Sequence, residues 1–343
     1  MAYKGSKRKL LRNIEHYCEQ IGASTFFDGF SGTGIVGANI RSKGCTVTAN
    51  DLNYSSFVYG SVFLNGYDPG EVQKHLDIMN SVSPKDGWLT QNYSGEKERK
   101  IRGTNGRIEK RPLGFTKNNA AKIDAARDYV ETISGLDEKD RKALVFSVVL
   151  GADKVFNNSN DQKSSLKNWS AGSKKDVEFL PPTLVSGPLG QQFQGDILSI
   201  TPKADLVYLD PPYTHGVLYA SCYHLNDSIA SWDKPELDGS YAVPRPKDIC
   251  FRVNGQKAGG FYSKKSATEA FSQLVRDSEC KQLVLSYSDA PRNTLTIQEL
   301  VDICAKHGEV YIESLEHQIC TQPNSLNKIS TKLKEFFIVV RKG

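Results

Sequence analysis

Long apolar runs are missing from this chain of 343 residues. No stretch approaches the roughly 20 apolar residues that cross a bilayer. The start, Met1-Ala2-Tyr3-Lys4-Gly5-Ser6-Lys7-Arg8, lacks the apolar centre of a secretion signal. Both absences predict a cytoplasmic protein with no membrane partner. Paired cysteines are missing as well. The seven cysteines, at 18, 45, 222, 250, 280, 304 and 320, form no Cys-x-x-Cys pair and hold no zinc-ligand spacing with the six histidines. That pattern predicts buried thiols in a reducing compartment and no metal. There is no internal repeat and no low-complexity tract. A large excess of one charge is absent too: 44 basic residues oppose 39 acidic ones, a net of +5. So mild a balance leans toward a polyanionic partner without naming one.

What is present is the make-up of a soluble globular protein, 38% hydrophobic and 24% charged. The opening residues follow a β/α rhythm. Lys9–Ile21 reads as helix, Ser24–Asp28 as strand, Ile35–Ser42 as helix, Cys45–Asn50 as strand, and Asn53 caps a further helix. Strands separated by helices imply a parallel, doubly wound sheet. From Tyr67 the rhythm breaks. Asn92 to Arg111 carries seven Lys/Arg against three Glu and three glycines, which predicts an exposed loop or hairpin. Apolar spacing then predicts helices through Ile123, Ala126, Val130 and Ile133 and over Lys139–Phe156. The rhythm resumes near Phe193 and continues through strands Asp205–Leu209, Gln282–Ser286, Glu309–Ser314 and Phe336–Val340, with a helix over Ile297–His307. Trp232 to Lys265 reads as irregular. The division predicted is a split catalytic domain, 1–65 and 190–343, with an inserted, mainly helical domain at 66–189. Insertions that long are usually functional.

Phe26-Phe27-Asp28-Gly29-Phe30-Ser31-Gly32-Thr33-Gly34 leaves a strand and enters a helix. Gly32 to Gly37 also fits the dinucleotide fingerprint G-x-G-x-x-G, with Asp51 at the tip of the next strand. That alone leaves nicotinamide dinucleotides and other adenosine cofactors open. Asp28 shifts the balance, because a carboxylate at the loop mouth repels a pyrophosphate and attracts an ammonium. S-adenosylmethionine carries an ammonium and a sulfonium and no phosphate. Asp51 is placed to accept its ribose hydroxyls. Asp196, in Gly195-Asp196-Ile197, precedes another strand and is either an adenine contact or a cap.

Asp210-Pro211-Pro212-Tyr213 ends the apolar strand Asp205–Leu209, at the edge where open α/β sheets bind ligands. Two prolines fix φ twice and remove two backbone donors. A ring amine is a poor nucleophile because its lone pair is delocalised. The Asp210 carboxylate and the Pro211 carbonyl offer acceptors for both of its N–H bonds, and Tyr213 offers a stacking surface.

These segments make the chain resemble the Dam-like class of adenine-N6 DNA methyltransferases. Tyr3-Lys4-Gly5-Ser6-Lys7 is similar to the class's N-terminal cofactor motif, Asp28 to Gly34 to its S-adenosylmethionine loop, Asn50-Asp51-Leu52-Asn53 to its second-strand acid, and Asp210–Tyr213 to its catalytic motif. The resemblance implies a Rossmann-like methyltransferase sheet, S-adenosylmethionine as methyl donor, and an adenine flipped from a short duplex site as acceptor. It implies cofactor contacts at Tyr3, Lys7, Asp28 to Gly34, Asp51, Leu52, Asp196 and Ile197, and target recognition by 66–189. Gly29 stands where relatives carry proline, which predicts a looser turn. Within the insertion Arg99, Lys100, Arg102, Arg107, Lys110, Arg111, Lys163 and Lys167 are the expected DNA contacts. A cognate restriction endonuclease is an expected partner, and the enzyme itself is expected to be a monomer or weak dimer. A nicotinamide oxidoreductase and an RNA adenine methylase remain the competing readings.

Overall fold

Strands buried on both faces read as unbroken apolar runs, and the two runs Leu206–Leu209 and Gln282–Ser288 are buried at every residue. They lie inside a large sheet. The computed structural model describes residues 7–100, 106–158, 162–212, 219–248, 260–318 and 332–342. Its first half contains α1 (Leu11–Ile21), β1 (Thr25–Asp28), α2 (Ile35–Ser42), β2 (Thr46–Asp51), α3 (Tyr54–Asn65), α4 (Pro69–Ser81), α5 (Trp88–Tyr93), β3 (Glu96–Lys100), β4 (Ile108–Pro112), α6 (Lys117–Thr132) and α7 (Glu138–Val155). Its second half contains β5 (Gln191–Gln194), β6 (Leu206–Leu209), α8 (His224–Ser231), β7 (Leu237–Asp238), β8 (Arg245–Pro246), α9 (Lys264–Asp277), β9 (Gln282–Ser288), α10 (Ile297–Cys304), β10 (Glu309–Gln318) and β11 (Lys332–Arg341).

The sheet runs β10-β11-β9-β6-β1-β2-β5. Pairings from β9 through β5 are parallel, and β11 joins β9 and β10 antiparallel. Alternation along the strands feeds two layers. Phe27, Val207, Leu209, Leu283 and Ile338 share a core with Phe271 and Leu274 of α9 and Leu300 and Ile303 of α10. Phe26 and Tyr208 stack with ring centroids 6.2 Å apart. Tyr17 of α1 meets Phe337 edge-on at 5.5 Å. The fold is therefore α/β, a mostly parallel sheet covered by helices. From β1 the chain moves to β2 on one side, while β6 pairs on the other. This is a topological switch point, where such sheets bind ligands beyond the strands' carboxyl ends.

The chain divides into two compact units. One draws on Lys7–Gly60, Val185–Tyr219 and Val253–Gly343 and holds the sheet; the other draws on Ser61–Leu184 and Ala220–Arg252 and is mainly helical. Against the boundaries read from sequence, 220–252 joins the helical unit. Arg127, almost fully buried on α6, donates to the carbonyls of Ile229 and Ala230 and so satisfies the end of α8. Some helices escape the sequence reading, α4 in this unit and α9 in the sheet unit among them. α4 carries its own start signal, Asp68 accepting from Gly70 and Glu71 amides with Pro69 at its first position, and buries Val72, Leu76 and Met79 at helical spacing. In the sheet unit α9 likewise buries Ala267, Ala270, Phe271, Leu274 and Val275. No described helix is long and apolar enough to cross a membrane.

Candidate active site

Backbone hydrogen bonds bind the loop after β1 to its neighbours. Gly29 N–H donates to the Tyr208 carbonyl at 2.9 Å, and Ser31 N–H to that of Asn50 at 2.9 Å. Gly32 N–H donates to Asp51 Oδ2 at 2.7 Å. Proline at position 29 could not make the first of these bonds, so glycine pins this turn where the sequence predicts a looser one. Gly32 and Gly34 take φ of 51° and 74°. In that region an L side chain costs roughly 1–2 kcal/mol. Gly34→Ala is expected to lower the unfolding free energy by about that amount, read by chemical denaturation; an unchanged midpoint would refute the strain.

Four acids gather at the carboxyl edge. Asp28 ends β1, and its register partner Tyr208 lies two residues before Asp210 on the adjacent strand. Asp28 is 1% exposed, and neither of its carboxylate oxygens has a hydrogen-bond partner. Burial first, then the charge of Asp210, push its pKa up to about 8; the amides of Phe30 and Gly37 are near but outside good hydrogen-bond geometry, so they offset only part of this. Asp51 is buried too, and burial raises it against the amides of Asn53 and Gly32. Its Oδ1 accepts from Asn53 N–H at 2.9 Å. Asp210 keeps 17% of its side chain open. Its pKa rises to about 6 through burial, with Lys7 pulling down and Glu335 pushing up.

Among the described residues one lysine answers these acids. Lys7, in the 3-10 turn Lys7–Leu10, places Nζ 3.1 Å from Asp210 Oδ1 and 2.5 Å from Glu335 Oε1. Among the described residues, negative charge thus exceeds positive charge at the edge, around the sealed Asp28 carboxylate. Such a site favours a cationic ligand and opposes a pyrophosphate, so the donor set fits S-adenosylmethionine.

Of the other expected residues, Leu52 and Ile197 flank this edge in sequence, Ile197 being buried. Asp196 follows β5 instead of preceding a strand, and its Oδ1 caps the short 3-10 turn Ile197–Ser199 by accepting from Leu198 N–H at 3.1 Å. Pro211 is buried and Pro212 half-buried. Tyr3, Tyr213 and Arg102 lie outside the described residues, as does the side chain of Arg99. Nothing in the sequence marks Glu335 as a site residue. It directly precedes the apolar run Phe336–Val340, where an acid looks like an exposed end, and only the register with β9 carries it inward.

In the helical unit the basic stretch forms the hairpin β3–β4, Lys97 pairing with Arg111 and Glu98 with Lys110. Lys100, Arg107 and Lys110 are exposed. Arg111 instead pairs with Glu109 at 3.2 Å, and Lys167 approaches the same carboxylate at 3.6 Å. Lys163 is half-buried. Among the described residues no group of three or more His, Cys, Asp or Glu could hold a metal.

A switch-point site lined by acids and joined to an Asp-Pro-Pro turn defines an enzyme that handles a cationic nucleoside cofactor. Residues 3–283 match the model of the D12 class N6 adenine-specific DNA methyltransferases, and the chain belongs to that family. It is similar to the type II methyltransferase M.NlaIII of Neisseria lactamica, 27% identical with 93% of this chain and 92% of that protein aligned. The modification methylase LlaI of Lactococcus lactis subsp. lactis is 27% identical over 100% of this chain and 55% of its own length. The type II methyltransferase M.FokI of Planomicrobium okeanokoites is 27% identical over 90% and 47%. The chain thus spans about half the length of the latter two. The protein is an S-adenosylmethionine-dependent enzyme that methylates N6 of adenine in DNA, which sets aside the nicotinamide and RNA readings.

Proposed function

We propose that Asp210 and the Pro211 carbonyl accept the two N–H bonds of an adenine flipped out of a short duplex site. The observation that carries this is the pairing of two acids across the switch point, Asp28 sealed and unsatisfied, Asp210 open. Both acceptors draw the amino nitrogen toward tetrahedral geometry and restore its lone pair. S-adenosylmethionine supplies an electrophilic methyl on its sulfonium. The nitrogen–methyl bond forms as the carbon–sulfur bond breaks, and the departing N–H proton passes to Asp210 or water. Tyr213 stacks on the extruded ring, worth roughly 1–3 kcal/mol against the few kcal/mol of unpairing it.

On this reading Asp28 takes the cofactor's ammonium, while Asp51 uses lone pairs left by its two amide donors for the ribose. The Gly29–Gly34 loop, Tyr3, Leu52, Asp196 and Ile197 complete the cofactor site. The helical unit reads the DNA sequence, and the exposed face of hairpin β3–β4 meets phosphates. The enzyme acts as a monomer or weak dimer in the cytoplasm of a bacterial or phage-infected cell. Named type II relatives support a role beside an endonuclease that cuts the same site.

Long-read sequencing of DNA from cells expressing the enzyme is expected to show N6-methyladenine in one short sequence context, absent with Asp210→Ala. No modified adenine, or modification surviving the substitution, would sink the proposal. Neutralising Lys100, Arg107 and Lys110 together is expected to flatten the dependence of log affinity on log salt by about 2 to 3. A parallel line would place the DNA elsewhere.

A further inference from the structure

Catalysis as proposed uses Asp210 and leaves Lys7 and Glu335 without a task. Lys7 bridges Asp210 and Glu335, and Ser286 Oγ donates to the same Glu335 oxygen at 2.6 Å. Glu335 sits opposite Ser288 on β9, two residues along from Ser286. The Asp210 side chain is 17% exposed, while Lys7 and Glu335 are sealed at 6% and 8%. One acid would suffice to make a buried ammonium tolerable. Here a second, interior acid holds the lysine while the first faces outward.

We propose that Lys7, fixed by Glu335 and Ser286, is a positioning residue for Asp210: its ammonium occupies Oδ1, keeps the carboxylate ionised, and leaves Oδ2 for the adenine amine. This rests on the reading of Asp210 as the amine acceptor. It gives Lys7 a different task from the cofactor contact that the sequence suggests. Among the described residues, the charged and titratable groups facing Asp210 come from four elements. Lys7 approaches from the first 3-10 turn, Glu335 from β11, Asp28 from β1 and Tyr208 from β6. Only Lys7 among them is a cation. Burial and Glu335 raise Asp210, and Lys7 opposes them.

Single-turnover methyl transfer, measured from about pH 5 to 9 at saturating S-adenosylmethionine, tests this alongside thermal unfolding of each variant. Lys7→Met is expected to move the acid limb up by about one unit or more and to cut the neutral rate at least tenfold. Glu335→Gln keeps an acceptor for Lys7 but removes a negative charge, so its acid limb moves down. Lys7→Met strands Glu335 and lowers the melting temperature. The double variant is expected to regain stability and part of the acid-limb shift, since the two changes oppose each other, but not the neutral rate. Unmoved limbs in both single variants, or a wild-type rate in the stabilised double variant, overturn the proposal alone. Near-parental transfer by Asp210→Ala overturns the reading of Asp210 itself, and this proposal with it.

Discussion

Asp210→Ala will bind duplex DNA within a few-fold of the parent and lose single-turnover methyl transfer by about 10³-fold or more. The magnitude follows from two effects that vanish together. A preorganised acceptor aimed at developing positive charge is worth about 10²–10³ in rate. Loss of alignment between amine and methyl removes several kcal/mol more. DNA affinity is spared on this reading, because phosphate contacts carry most of it and Asp210 makes none. Asp210→Asn keeps the shape and one acceptor oxygen, so it should fall between the two. Quench-flow transfer and fluorescence anisotropy measure both quantities on one preparation. A variant with near-parental transfer would remove Asp210 from the chemistry, and a variant that no longer binds DNA would make it a folding residue instead.

The sheet and its edge were legible because their signals are local. Apolar runs at 26–27, 206–209 and 282–286 gave the central strands. The glycines after Asp28 and the prolines after Asp210 marked where backbone leaves a strand. What could not be read is whatever depends on register. Glu335 reaches Lys7 across 328 residues, through a strand order in which the chain's last strand sits between β9 and β10. Nothing adjacent to Glu335 in sequence announces this. The apolar neighbours of Asp196, Ile197 and Leu198, suit strand or turn alike; the carboxylate's own capping bond decides for the turn. The irregular stretch after Trp232 hid its packing for a related reason. Arg127 and the carbonyls it caps are about a hundred residues apart, and no pattern within either segment reports the contact.

The second large effect concerns Asp28 and has a sign that separates it from a structural role. Its carboxyl sits near pKa 8 in the free protein, so at neutral pH it is mostly protonated. An ammonium requires the ionised form, and binding must then expel a proton. S-adenosylmethionine affinity is therefore expected to rise about tenfold from pH 6 to 7. It should peak near 8, where an α-amino group begins to lose its own proton. Calorimetry at pH 7 in buffers of different ionisation enthalpy should find close to one proton released. Asp28→Asn removes both the slope and the release, and lowers affinity at the peak by about 10²-fold, the consequence of leaving one buried charge without its partner. Stability carries the opposite trend. A carboxyl whose pKa is raised by folding holds its proton after the unfolded chain has lost it. The ligand-free protein therefore loses stability between about pH 4 and 8, and Asp28→Asn flattens that decline. A binding curve independent of pH, with Asp28→Asn still binding normally, would mean the cofactor's cation lies against another acid of the edge.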